Sequence, residues 1–213
     1  MLFFCGVSHA QLTADFIPDK VSGCSPLAVN FTNTSPGAGP GATYSWHFGN
    51  GNGITTSDKN TPVAATYFTG QNYTVTLTVK DGAQTSTKTS IITVYKSPVI
   101  DFTVDNPIGC SPLNGSFTAI ADPGDGSITG YFWDFGDGKT LNTTSAVVSN
   151  SYLFPGTYSV SLTVTNSRGC SNTLKKTDVI TVYPALTPSF SVDSTAVCSL
   201  NHPLLFNNTS TGT

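Results

Sequence analysis

Residues Tyr131–Lys139 read YFWDFGDGK and residues Tyr44–Asn52 read YSWHFGNGN, with Trp46 and Trp133 87 positions apart. Such a string suits either a ligand loop or a strand running into a tight turn, and comparing the copies decides between them. Trp46, Phe48, Gly49 and Gly51 match Trp133, Phe135, Gly136 and Gly138, whereas His47 and Asn50 stand where Asp134 and Asp137 stand. The apolar and glycine positions persist and the charges do not. Asn serves a turn as well as Asp, because either side chain bonds to the backbone two residues on. An amide is a poor substitute for a carboxylate in proton transfer. In a strand, Trp133 and Phe135 share one face, and Phe132 and Asp134 the other. The tryptophan is therefore expected to fill the space between two sheets, with Gly136-Asp137-Gly138 forming a hairpin turn.

The surrounding chain repeats with the same period. Asp15–Asn33 (DFIPDKVSGCSPLAVNFTN) returns as Asp101–Ala119 (DFTVDNPIGCSPLNGSFTA) and again as Ser189–Asn208 (SFSVDSTAVCSLNHPLLFNN). Their cysteines stand at 24, 110 and 198, spaced 86 and 88 residues apart. Each complete copy continues through TYFTGQNYTVTLTVKDG (66–82) or SYLFPGTYSVSLTVTNSRG (151–169) and closes on IITVY (91–95) or VITVY (179–183). Tyr73, Val75, Leu77 and Val79 alternate with threonines, and Tyr158, Val160, Leu162 and Val164 alternate with Ser and Thr. Period two means one buried face and one wet face. Pro and Gly clusters such as SPGAGPGA (35–42) and DPGDGSITG (122–130) leave no room for a long helix. The reading is all-β: tandem immunoglobulin-like sandwiches, arranged as semi-rigid beads on a string. The expected divisions are 1–10 (partial signal), 11–97, 98–184 and 185–213, the last being the opening of a third, truncated copy.

Charged residues make up 10% of the 213 positions, against about 25% in an average globular domain. The nine basic residues are scattered under a formal charge of −3, which argues against nucleic acid as a partner. No apolar run approaches the roughly 18 residues of a membrane-spanning helix. At the start, MLFFCGVSHAQ places an apolar run before Ser8-His9-Ala10, and cleavage before Gln11 would release a secretory signal whose start was clipped or assigned late. Two alternatives remain, a lipoprotein anchor at Cys5, where Phe4 is bulky for the processing enzyme, and an unstructured soluble N-terminus.

The string WDFGDG, followed by SYLFPGTYSVSLTVTN and VITVY, resembles the PKD domain, named for polycystic kidney disease protein; the likeness spans Leu12 to Tyr183 as two copies. The first copy departs from it with WHFGNG. The resemblance implies a β-sandwich found mostly outside cells that acts as a spacer, an adhesive module or an appendage of secreted hydrolases. The variant with a cysteine before SPL and GC after the TVTN strand is similar to modules of large surface proteins of Bacteroidota. It implies cell-surface adhesion or gliding motility, often with export through the type IX system.

Cys110 and Cys170 lie in one copy and are expected to form a disulfide, closing a loop of about 60 residues worth roughly 3–4 kcal/mol. Cys24 has no partner within its own copy and is expected to be a small buried hydrophobe, or an inter-chain bridge. Cys198 is expected to pair beyond Thr213. The histidines, His9, His47 and His202, do not recur at equivalent places, and no plausible base stands beside the many serines, so catalysis and cofactors are not expected. Asp122, Asp125, Asp134 and Asp137 could hold a weak calcium ion, but Asp and Gly also make turns, and the first copy lacks matching acids. The recurring Tyr44, Tyr67, Tyr73, Tyr131, Tyr152 and Tyr158 suit a glycan platform or a core. Tyr73 and Tyr158 resemble the corner tyrosine of sandwich folds. Function is read as a non-catalytic spacer or adhesion stalk with protein or glycan ligands unidentified. The alternative is an accessory region of a secreted protease or polysaccharide hydrolase, with direct carbohydrate binding a third reading.

Overall fold

The computed structural model describes residues 11–193 and 205–211. Every regular element among them is a strand. The chain divides into two compact units. The first runs to Pro98 and also takes in Pro123–Ser127 and Asn166–Cys170; the second holds Val99–Asp122, Ile128–Thr165 and the residues from Ser171 onward.

The first unit contains β1 (Phe16–Pro18), β2 (Ser22–Cys24), β3 (Leu27–Asn33), β4 (Thr43–His47), β5 (Gly53–Thr56), β6 (Val63–Tyr67), β7 (Asn72–Asp81) and β8 (Gln84–Tyr95). They form a three-stranded sheet, β1-β3-β6, and a five-stranded sheet, β2-β8-β7-β4-β5. The alternation in YTVTLTV sets the inner face of β7: Val75, Leu77 and Val79 are fully buried, while the threonines between them stand on the outer face, where a β-branched hydroxyl residue sits well. Strand β2 pairs with the end of β8 in parallel, Cys24 beside Tyr95. All other pairings in this unit are antiparallel.

The two sheets close over an aromatic core. Phe16, Phe31, Trp46 and Phe48 pack with ring centroids 5.1–6.0 Å apart. Each such pair adds about 0.5–1.5 kcal/mol beyond the area it buries.

The second unit repeats this plan with β9 (Val99–Asp105), β10 (Ile108–Cys110), β11 (Leu113–Asp122), β12 (Ile128–Asp134), β13 (Thr140–Thr143), β14 (Val147–Tyr152), β15 (Gly156–Asn166) and β16 (Ser171–Tyr183). Its sheets are ordered β14-β11-β9 and β10-β16-β15-β12-β13. Phe102, Phe117, Trp133 and Phe135 take the places of the first unit's four rings. One difference is a bulge between Tyr158 and Val160. Asp178 there adopts a left-handed φ of 52° and donates its N–H to Ser159 Oγ. Two further strands, β17 (Phe190–Val192) and β18 (Phe206–Asn208), pair antiparallel in the segment expected from the sequence to open a third copy. Residues 1–10, with the expected signal and Cys5, lie outside the described residues, as do Cys198 and His202.

Candidate functional site

The glycine turns come first, since their strings raised the possibility of chemistry. Trp46 and Trp133 are buried at 1% and 0% exposure, and Phe48 and Phe135 lie under the same cover. Each phenylalanine N–H closes the hairpin, Phe48 to Asn52 O at 3.0 Å and Phe135 to Lys139 O at 3.1 Å. Asn50 Oδ1 accepts from Asn52 N, and Asp137 Oδ1 accepts from Lys139 N, both at 3.1 Å. Amide and carboxylate thus do one job. All four glycines have positive φ, 76° and 88° for Gly49 and Gly51, 76° and 90° for Gly136 and Gly138. A Cβ on Gly49 would sit 2.7 Å from Thr74 O, and one on Gly136 would strike Ser159 O. Asp134 accepts from Gly136 N.

The tyrosines serve the same corner. Tyr67 and Tyr152 are fully buried and donate to Phe48 O and Phe135 O, each at 3.1 Å; burial pushes both phenols up to about 12. Tyr73 donates to Thr69 O and Tyr158 to Phe154 O, four residues upstream, the bond of a tyrosine corner. Tyr44 is buried and Tyr131 half-buried. Four of the recurring tyrosines are thus buried in the cores, and Tyr131 and Tyr158 are half-buried against the second one.

Three of the aspartates considered for calcium, Asp125, Asp134 and Asp137, accept hydrogen bonds from backbone or side-chain donors. Burial raises the Asp137 carboxyl, but bonds from Asn150 Nδ2 (2.9 Å), the Lys139 N–H and the Lys139 ammonium (3.1 Å) outweigh it and hold the group below its ordinary value. Asp125 Oδ2 accepts from Lys96 N at 2.7 Å. Among the described residues no group of three or more His, Cys, Asp or Glu side chains is placed to share a metal ion.

The cysteines require a correction. Cys24 bonds Cys170, with Cα atoms 5.5 Å apart and a separation of 146 positions in sequence. Cys110 is free and exposed. The expected Cys110–Cys170 bond fails on strand geometry. Cys110 pairs beside Tyr183, the last residue of β16, whereas Cys170 directly precedes Ser171, the first. At about 3.3 Å per residue the length of β16 holds them roughly 40 Å apart, and a disulfide needs Cα atoms within about 7 Å. Nor is Cys24 a buried hydrophobe. Its bond is a covalent tie between the two sequence copies in addition to the linker YKSPVIDF.

Around this bond, within the first unit, lies a polar cluster that the sequence reading missed. Asn166 is 2% exposed. Its Oδ1 accepts from Arg168 N and Cys170 N, both at 3.0 Å, and its Nδ2 donates to Pro123 O and Lys96 O. The Arg168 guanidinium lies 4.9 Å from the Tyr95 ring centroid, a cation–π distance. Lys96 O also accepts from Asp125 N. The cysteine count offered no signal for the pairing, since of Cys24, Cys110 and Cys170 any one bond leaves one thiol over.

Comparison with known proteins identifies the repeated unit. The family model for the PKD domain matches residues 10–96 and again 95–182. The pre-pro-metalloprotease PrtV of Vibrio cholerae serotype O1 is 49% identical over 53 residues, 25% of this chain and 6% of that protein, so the chain spans only a small part of this curated relative. Among solved structures, the PKD1 domain of Vibrio anguillarum Epp is 33% identical, covering 41% of this chain and 98% of that one with a TM-score of 0.36. The PKD1 domain of the Vibrio cholerae metalloprotease PrtV is 36% identical, covering 40% and 96%, with a TM-score of 0.34. No relative in Bacteroidota is among these matches. With its two Trp-x-Phe-Gly-x-Gly corners and twofold match, the chain belongs to the PKD domain family.

Proposed function

We propose that residues 11–97 and 98–184 are non-catalytic extracellular modules that serve as a spacer or adhesion stalk within a larger secreted or cell-surface protein. The observation that carries this is the Cys24–Cys170 bond. Such bonds persist in oxidising compartments, and this one ties the two copies in addition to the short linker between them. A spacer gains from that tie, whereas a ligand site on one module does not need it. The recurring aromatic and glycine residues are spent on core and turn, which suits the same role. Export through an N-terminal signal and a surface or gliding role belong to this reading.

A second reading is favoured by one finding, the local likeness to PrtV, a pre-pro-metalloprotease. In it the modules are accessories of a secreted hydrolase. One experiment separates spacing from binding. Residues 11–184 of the parent protein are replaced with two unrelated β-sandwich modules of similar length, and export and surface attachment or substrate hydrolysis are assayed. A spacer role predicts that function survives the exchange. Loss of function with export intact would show that the modules themselves contact a ligand.

A further inference from the structure

The surface on which Cys24 meets its partner has a twin in the second unit. In the first, Ser22, Gly23 and Cys24 pair in parallel with Thr93, Val94 and Tyr95. In the second, Ile108, Gly109 and Cys110 pair in parallel with Thr181, Val182 and Tyr183. The residue after each cysteine donates its N–H to that tyrosine's carbonyl at 2.9 Å, Ser25 to Tyr95 and Ser111 to Tyr183. Each glycine is hemmed by one leucine, a Cβ on Gly23 meeting Leu27 at 2.6 Å and one on Gly109 meeting Leu113 at 2.7 Å. Backbone and cysteine are thus presented alike, and the first copy of this arrangement is bonded in the structure. The second is open among the described residues: Cys110 is a free, exposed thiol, Tyr183 is 49% exposed and Ile108 62%.

The partner of Cys24 defines what fits. It is the last residue of Asn166-Ser167-Arg168-Gly169-Cys170, whose arginine lies on Tyr95 and whose asparagine holds the turn. The direction of pairing is also set. The turn of the first copy that matches this loop, Asp81-Gly82-Ala83-Gln84, has no cysteine. Cys24 and Cys170 consume each other, so neither can serve Cys110.

We propose that Cys110 forms a disulfide with the cysteine of an Asn-x-x-Gly-Cys loop carried by a further PKD copy, following in the same polypeptide about 146 residues beyond it, the separation of Cys24 from Cys170. Ser189–Asn208 already repeats the opening of a copy. Two thiols join with loss of two protons and two electrons, which a disulfide-bearing thiol oxidase or oxidoreductase takes up as its own disulfide becomes a dithiol. Tyr183 receives the basic residue of the loop on its ring, and Pro184 O takes the asparagine amide as Lys96 O does. One contact is lost, because Pro184 has no N–H to match the Lys96 N bond to Asp125. Tandem copies would then be linked as a ladder, each first cysteine to the late loop of the next. This holds whether the modules space or bind.

The test uses the parent protein purified from its source without reductant. Free thiols are alkylated at acidic pH to stop exchange, and the protein is digested with trypsin and mapped by mass spectrometry. Cleavage after Lys96 and Lys139 isolates Cys110 in the peptide 97–139. The expected result is that peptide joined to one from the same polypeptide whose cysteine follows Asn-x-x-Gly in the parent sequence. Cys110 found alkylated without reduction, or joined to Cys24, to Cys170, to another polypeptide or to a small thiol, overturns the proposal.

Discussion

Replacing Cys24 with Ser opens the only disulfide among the described residues and exchanges a partly exposed sulfur for a hydroxyl. The bond spans 146 residues, and the chain-entropy relation assigns a loop of that length about 5 kcal/mol at 25 °C. If the second unit stays folded while the first opens, the flexible part of the loop shrinks to about 75 residues, and its logarithm lowers the figure only to about 4.5 kcal/mol. The loss should fall on the first unit, which contains both half-cystines. The tryptophans allow this to be read separately, since Trp46 lies in the first core and Trp133 in the second. Urea unfolding is followed by Trp46 fluorescence in a Trp133→Phe background, and by Trp133 in a Trp46→Phe background. Cys24→Ser should lower the stability seen by Trp46 by about 3–5 kcal/mol and that seen by Trp133 far less. A Trp46 transition displaced by less than about 1 kcal/mol, or equal shifts in both, would refute the reasoning.

Gly136→Ala should cost about 2–4 kcal/mol, since a Cβ there meets both a left-handed φ and the Ser159 carbonyl. Gly138→Ala, with open space around its Cβ, should cost only about 1 kcal/mol; thermal melts giving equal losses would contradict this. Tyr152→Phe removes the buried bond to Phe135 O and should lower stability by about 1–3 kcal/mol, measured in the same urea assay. For acid stability the sign follows from Asp137, whose folded carboxyl lies below its ordinary 3.8. Its contribution is present above the unfolded value and disappears as pH falls through the folded one. Asp137→Asn, the residue type of the first copy at Asn50, should therefore flatten the fall in melting temperature below about pH 4, and an unchanged slope would count against it.

Much of the sandwich is legible because its signals are local. Alternation in β7 and β15 names the buried face, and glycines at positive φ name the turns. Comparing the two copies also shows that Asp137 is a turn residue, since Asn50 makes the bond that Asp137 makes. The disulfide was not legible, because nearness in sequence is a poor guide where strands are long. Cys110 and Cys170 are 60 residues apart in sequence yet lie at opposite ends of β16. Cys24 is joined across 146 residues because β2 runs parallel to the end of β8. The Asn166 cluster escaped notice for a related reason: its partners, Lys96 O and Pro123 O, are backbone carbonyls, which no side-chain pattern announces.

The central claim is that the two copies are tied by Cys24 and Cys170, and one map of this chain tests it. Trypsin separates all five cysteines, with Cys24 in 21–59, Cys110 in 97–139 and Cys170 in 169–175. The chain, produced in an oxidising compartment, alkylated and digested without reduction, should yield 21–59 joined to 169–175, with 97–139 carrying the alkyl group. Recovery of 97–139 joined to 169–175, with Cys24 alkylated, would contradict the account.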